Sequence, residues 1–132
     1  MKLSDIKRDV VAAEAGMWVG NIPGMIDLAL KVRGRDNADW RRLEANLVAA
    51  VPRSGRTNGR ISPDEVDRIT TTLLCDACLL DWRNLYDDEG RPIALSKDTA
   101  REYLFASEFK ALRDAVLWAA TAVADGTAVA AQ

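Results

Sequence analysis

Three groups of residues in this chain have the types and spacing that chemistry uses. An acidic run, Asp87-Asp88-Glu89-Gly90, could hold a cation or move protons. Cys75 and Cys78, with two residues between them, could ligate a metal or exchange disulfides. Arg53, Arg56 and Arg60 lie in a polar, glycine-containing stretch and could meet phosphates. Each pattern has to satisfy the geometry of its own chemistry. If Gly90 were the turn glycine of a calcium loop, the first ligand position would fall on Leu85, which cannot bind calcium. Carboxylates adjacent in sequence do not supply the facing pair that acid–base catalysis needs. The chain contains no histidine, so the usual proton shuttle is missing. Zinc needs about four ligands, and there is no second cysteine pair. The two cysteines fall well inside a helical pattern, away from a helix N-terminus that would stabilise a thiolate, and read as small apolar packing residues. No serine sits in a nucleophile-elbow setting and no glycine loop is built to cradle phosphate. The expectation is a protein that is not an enzyme, with no cofactor and no metal.

The remaining candidates are contact residues. Arg53, Arg56 and Arg60 read as a mobile basic loop with a solvated surface, and nucleic acid is not an expected partner. Four tryptophans are present. Trp40, Trp82 and Trp118 lie on helical patterns, and Trp18 lies on an extended segment. Tryptophans left partly exposed are typical interface anchors. Trp18, beside Ile22 and Met25 in a glycine-containing turn, is the best candidate for exposure. Trp82, Leu85 and Tyr86 flank the acidic run and offer an aromatic-acidic surface for a partner helix.

The elements that must position these residues follow from periodicity. Ser4 can cap a first short helix that Gly16 ends. Met17 to Val19 reads as a strand, Gly20-Asn21-Ile22-Pro23-Gly24 as a turn, and Ile26, Leu28, Leu30 and Val32 alternate with less apolar neighbours. The result is a β-hairpin over 17–33, marginal in water on its own and open at its edges for pairing. Trp40, Leu43, Leu47 and Ala50 then recur at helical spacing up to Pro52. Ser62-Pro63-Asp64-Glu65 opens a long helix with a capping box, and Val66, Ile69, Leu73, Ala77 and Leu80 carry its stripe to about Leu85. After the acidic corner, Ser96 caps one helix and Ser107 another, whose stripe is Phe109, Leu112, Val116, Ala119 and Val123. The fold class is mainly α: a small helical domain of about five helices with a short N-terminal β-hairpin, spanning 1–124, with 125–132 as a flexible tail.

Composition sets the outer bounds. The chain has 132 residues, 48% hydrophobic and 29% charged, which suits one globular domain. No run approaches the roughly 18 apolar residues of a membrane span. The opening residues have no signal-peptide pattern, and two cysteines make no disulfide framework, so a reducing cytoplasm is expected. Net charge is −2, but residues 1–60 carry +4 and residues 61–132 carry −6. A chain so divided can associate with copies of itself by steering, and self-association through the hairpin is expected.

The run "LLDWRNLYDDEGRPIALSKDTAREYL", followed by "EFKALRDAVLWAA", resembles tail assembly chaperones of long-tailed, siphovirus-type bacteriophages. Upstream, "MWVGNIPGMIDLALKVRG" with "NADWRRLEANL" is similar to the front half of the same kind of protein. The resemblance spans about residues 16–123 and rests on caps, turns and aromatic anchors rather than a catalytic motif. One departure stands at Ala94, where the pattern has a proline or an aromatic residue. The resemblance implies a non-enzymatic factor in the host cytoplasm that binds and solubilises the tape measure protein, helps recruit tail tube subunits, and leaves before the tail is finished. Rival readings are a permanent phage component, such as a head–tail connector or tail terminator, and a small DNA-binding regulator.

Overall fold

The computed structural model describes residues 1–132. Helix α1 (Val10–Ala15) precedes strands β1 (Met17–Gly20) and β2 (Ala29–Val32). Then come α2 (Ala38–Ala49), the short β3 (Arg56–Thr57) and β4 (Arg60–Ile61), and α3 (Pro63–Leu73). Next are β5 (Leu79–Arg83), α4 (Lys97–Phe105), α5 (Lys110–Asp125) and β6 (Val129–Ala130). The protein is α+β, with five α-helices and a four-stranded antiparallel sheet in the order β5-β2-β1-β6.

The expected hairpin is therefore present but does not stand alone. Val19 pairs with Leu30 inside it, β5 covers one edge, and β6 covers the other. The edges expected to be open are paired with the chain's own later segments. Of residues 125–132, expected as a flexible tail, Asp125 ends α5 and Val129–Ala130 lie along β1, where Val129 pairs with Gly20 and Ala131 N donates to Trp18 O at 3.1 Å. β2 is shorter than its alternation suggested. Ile26 lies outside it and is 98% exposed.

The largest departure lies between Leu73 and Leu85. The helical stripe was expected to continue to about Leu85. Instead α3 stops at Leu73, a single π-type turn follows over Leu74–Cys78, and the chain enters β5 at Leu79. No glycine or proline marks the break. Long-range partners replace the lost helical bonds. Asn37 Nδ2 donates to Ala77 O at 2.8 Å, and Arg33 N donates to Cys78 O at 3.0 Å. Trp82 consequently lies on a strand rather than at a helix end. In β5 the register slips by one residue opposite Lys31 and Val32, so Lys31 faces Asp81 while Val32 faces Leu79. This bulge lets Leu79 and Trp82, three residues apart, both enter the core while Leu80 is displaced outward. Leu80 lies against Gly16, whose φ is +93°, and a Cβ there would sit 2.6 Å from Leu80 Cδ1.

The core joins the sheet to the helices. Val19, Leu30 and Val32 meet Val116, Ala119 and Val123 of α5, with Leu73, Leu74 and Trp40 beside them. Alanines on α5 let the helix approach the sheet closely. Asn37, fully buried, caps α2 by accepting from Trp40 N at 2.8 Å. Ser62 accepts from Glu65 N as expected, but the Glu65 carboxylate turns to Arg68, at 2.8 Å, instead of closing the box. Asp9, not Ser4, caps α1, and Ser107 begins a 3-10 turn ahead of α5 without capping it.

Candidate functional site

The acidic corner is closed by its own hydrogen bonds. Asp87 Oδ1 accepts from Glu89 N at 3.0 Å and Arg91 N at 2.8 Å, and its other oxygen accepts from Arg91 Nε at 3.0 Å. Ile93 N donates to Leu85 O at 2.9 Å across the base of the loop, and Tyr86 bridges to Pro92. Asp88 and Glu89 remain on the exposed rim. Trp82 is buried beneath this loop and fastens it, its indole N–H donating to Ile93 O at 2.7 Å. Ser96 then starts α4 through a reciprocal box with Thr99.

Closing the corner this way holds it over α4 and the start of α5 and leaves an apolar groove between them. The groove has a volume of about 230 Å³, and Leu85, Tyr86, Ile93, Tyr103, Phe109 and Leu112 form its apolar lining. Its aromatic residues make a stacked series that begins in the core. Trp82 and Tyr103 are 6.4 Å apart and tilted, and Tyr103 and Phe109 are 5.3 Å apart and edge-on. Each such pair adds about 0.5–1.5 kcal/mol beyond area burial, so the groove is stiffened from beneath. Phe109 remains 42% exposed and Tyr86 54%. Asp87 and Asp88 edge one side, giving the apolar floor a negative rim.

The six residues expected to meet a partner therefore separate. Leu85 and Tyr86 line the groove, and Trp82 supports it from the core. Trp18, Ile22 and Met25 belong to the hairpin, elsewhere in the fold. Ile22 is buried, and Met25 is half-buried against the core. Trp18 is half-buried, with the Arg83 guanidinium 4.7 Å above its ring. Its turn was expected to be exposed, but the four-stranded sheet gives Ile22 a core to enter. Tyr103, Phe109, Leu112 and Ile93 complete the groove. Tyr103, Phe109 and Leu112 read as helix residues in the sequence, since nothing local shows that the corner folds over them.

The basic loop is ordered as a small hairpin. Asn58 and Gly59 both take positive φ between β3 and β4, the twist that a two-residue hairpin requires. Arg53 and Arg60 are exposed, but Arg56 is half-buried and donates to Val48 O at 2.8 Å and Val51 O at 3.4 Å. It serves the C-terminal carbonyls of α2, and so does not stand free as the third phosphate contact of the sequence reading. Burial pushes the Cys75 thiol up to about 11 and the Cys78 thiol up to about 12, the latter despite nearby Arg33. Both are free and buried, as the packing reading expected. No helix is long and apolar enough to cross a membrane.

These features define a small α+β protein whose apolar groove is floored by aromatic side chains. The chain belongs to the YdaY prophage protein family, whose family model matches residues 35–132, and it is phage-derived. No curated protein and no solved structure matches it.

Proposed function

We propose that this prophage protein is a non-enzymatic tail assembly chaperone that binds the tape measure protein, keeps it soluble, and helps recruit tail tube subunits. The observation that carries this reading is the groove of Leu85, Tyr86, Tyr103, Phe109 and Leu112 under an acidic rim. An amphipathic helix lays its apolar face into such a groove through residues at i, i+3 and i+4, while basic residues beside that stripe meet the rim. Aromatic side chains that are anchored below and exposed above make the strongest contacts in such interfaces. A phage origin supplies the setting in which a long helical client is made.

The test is co-expression with long helical proteins encoded beside its gene, followed by capture and measurement of the client's solubility. A tape-measure-like client becomes soluble only with this chain. Phe109→Glu weakens capture by about 30-fold or more, the loss expected at an interface hot spot. A chain that rescues no client and is retained in finished virions would instead be a permanent tail or connector component.

A further inference from the structure

The shortest strand of the four-stranded sheet lies at its edge. β6 has two residues, pairs with β1 alone, and turns its other side outward. A strand in an antiparallel sheet offers its backbone groups to its two neighbours in alternation. In β1, Val19 faces Leu30 across the hairpin, whereas Trp18 and Gly20 turn their groups towards residues 129–131. Val129, Ala130 and Gln132 are exposed, and of residues 127–132 Ala128 alone packs against the core. Upstream, α5 closes at Gly126, whose φ is +75°, and Thr127 N donates to Ala122 O at 2.9 Å. These bonds complete the helix end by themselves, so the residues beyond can swing without unwinding it.

Two groups outside this segment hold it down. The first is Gly20. A Cβ there would lie 3.1 Å from Ala131 Cα, so the segment closes on β1 only over a glycine. Gly20 does not take a positive φ, and its missing side chain serves the close approach rather than a turn. The second is Arg83, on β5 at the opposite edge of the sheet. Its guanidinium lies 4.7 Å above the Trp18 ring, on the face turned away from α5, and donates from Nη2 to Gln132 O at 2.7 Å. The held segment forms one wall of a cavity of about 370 Å³ that Asn21, Asp27 and Asn84 also line. We infer that residues 127–132 form a strap that opens as a unit about Gly126 while the rest of the fold stays closed, with Gly20 as its seat and Arg83 as its latch. Opening removes that wall and frees the outward backbone groups of Trp18 and Gly20. The latch therefore controls whether β1 presents an open edge. The aromatic groove shares no residue with the strap, so the device stands apart from any client the groove holds.

Native-state hydrogen exchange of the full chain, read amide by amide by NMR, tests it. The Ala131 amide is protected, yet exchanges about 100-fold or more faster than the amides of Val19 and Leu30. Its rate is flat at low denaturant, because a local opening exposes little surface, while those of Val19 and Leu30 rise. Arg83→Ala speeds exchange at Ala131 by about 10-fold, the loss of one charge-assisted hydrogen bond, and leaves Val19 and Leu30 as in the wild type. Arg83→Lys keeps a cation and a donor and falls between the two. Gly20→Ala speeds Ala131 from the other side of the strap, which keeps the test valid if loss of Arg83 disturbs β5. The strap is overturned if Ala131 exchanges at the rate of Val19 with the same dependence on denaturant, or is unprotected in the wild type. An Ala131 rate that Arg83→Ala leaves unchanged would remove Arg83 as the latch.

Discussion

At the scale of single residues, Asn37 ties together three parts of the fold. Its side chain accepts from Trp40 N and donates to Gly34 O and Ala77 O, joining the start of α2, the end of β2 and the helix-to-strand switch. Replacement by alanine removes a cap worth about 1 kcal/mol and two buried bonds worth about 1 kcal/mol each. Asn37→Ala is therefore expected to cost about 3 kcal/mol, read as a lower denaturant midpoint. The cysteines give a pH signature. Desolvation raises both thiols in the folded chain, to about 11 and about 12 against an ordinary 9.0. Below the ordinary value both states hold neutral thiols and this contribution is fully present. As pH rises from there towards the folded values, the unfolded chain ionises first, so stability falls. Unfolding measured across that alkaline window is expected to show a fall that a Cys75→Ala, Cys78→Ala double variant largely loses. In the native state both thiols should resist alkylation at neutral pH.

At the scale of elements, the β5 bulge and Gly16 form one unit. Gly16→Ala meets both a strained positive φ and the Leu80 side chain, and is expected to cost about 2 kcal/mol or more. Leu80→Ala should recover the steric part and leave the backbone strain, which a double-mutant cycle in chemical denaturation would resolve. The same region marks where sequence reading stopped. The helix caps at Ser62 and Ser96 were legible because they act through neighbours three residues away. The hairpin was legible because alternation is local. The conversion of Leu79–Arg83 from helix to strand was not, since Leu73, Ala77 and Leu80 keep helical spacing and the cause lies in Asn37 and β2, some forty residues upstream. The Asn58-Gly59 turn did have a local signal, but strands of two residues leave little alternation to read. A third of the groove's apolar lining was visible in Leu85 and Tyr86. Tyr103 and Phe109 join it only through tertiary folding of the corner.

At the scale of the whole molecule, the family-matched region and the folding unit do not coincide. The match begins at residue 35, whereas β1 and β2, the two inner strands of the sheet, precede it. A fragment of residues 35–132 would leave β5 and β6 without neighbours and strip Val19, Leu30 and Val32 from the core. It is expected to be poorly soluble, and its circular dichroism should lack the cooperative melt of the full chain. The ion pairs form within each half and not between them, as where Arg33 sits among Glu14 and Asp39 and Arg113 binds Asp67 at 2.7 Å, so pairing leaves the charge difference between the halves intact.

The strand order has a consequence for how the chain is made. Synthesis delivers β1 and β2 first, yet their flanking partners are the fifth and sixth strands to leave the ribosome. Until Leu79–Arg83 emerges, one side of the nascent hairpin has no neighbour, and the other waits for Val129–Ala130. The nascent hairpin thus exposes two unpaired borders from Val32 until Leu79–Arg83 emerges, and one from then until Val129–Ala130. The interval before completion is when it is most exposed to mispairing.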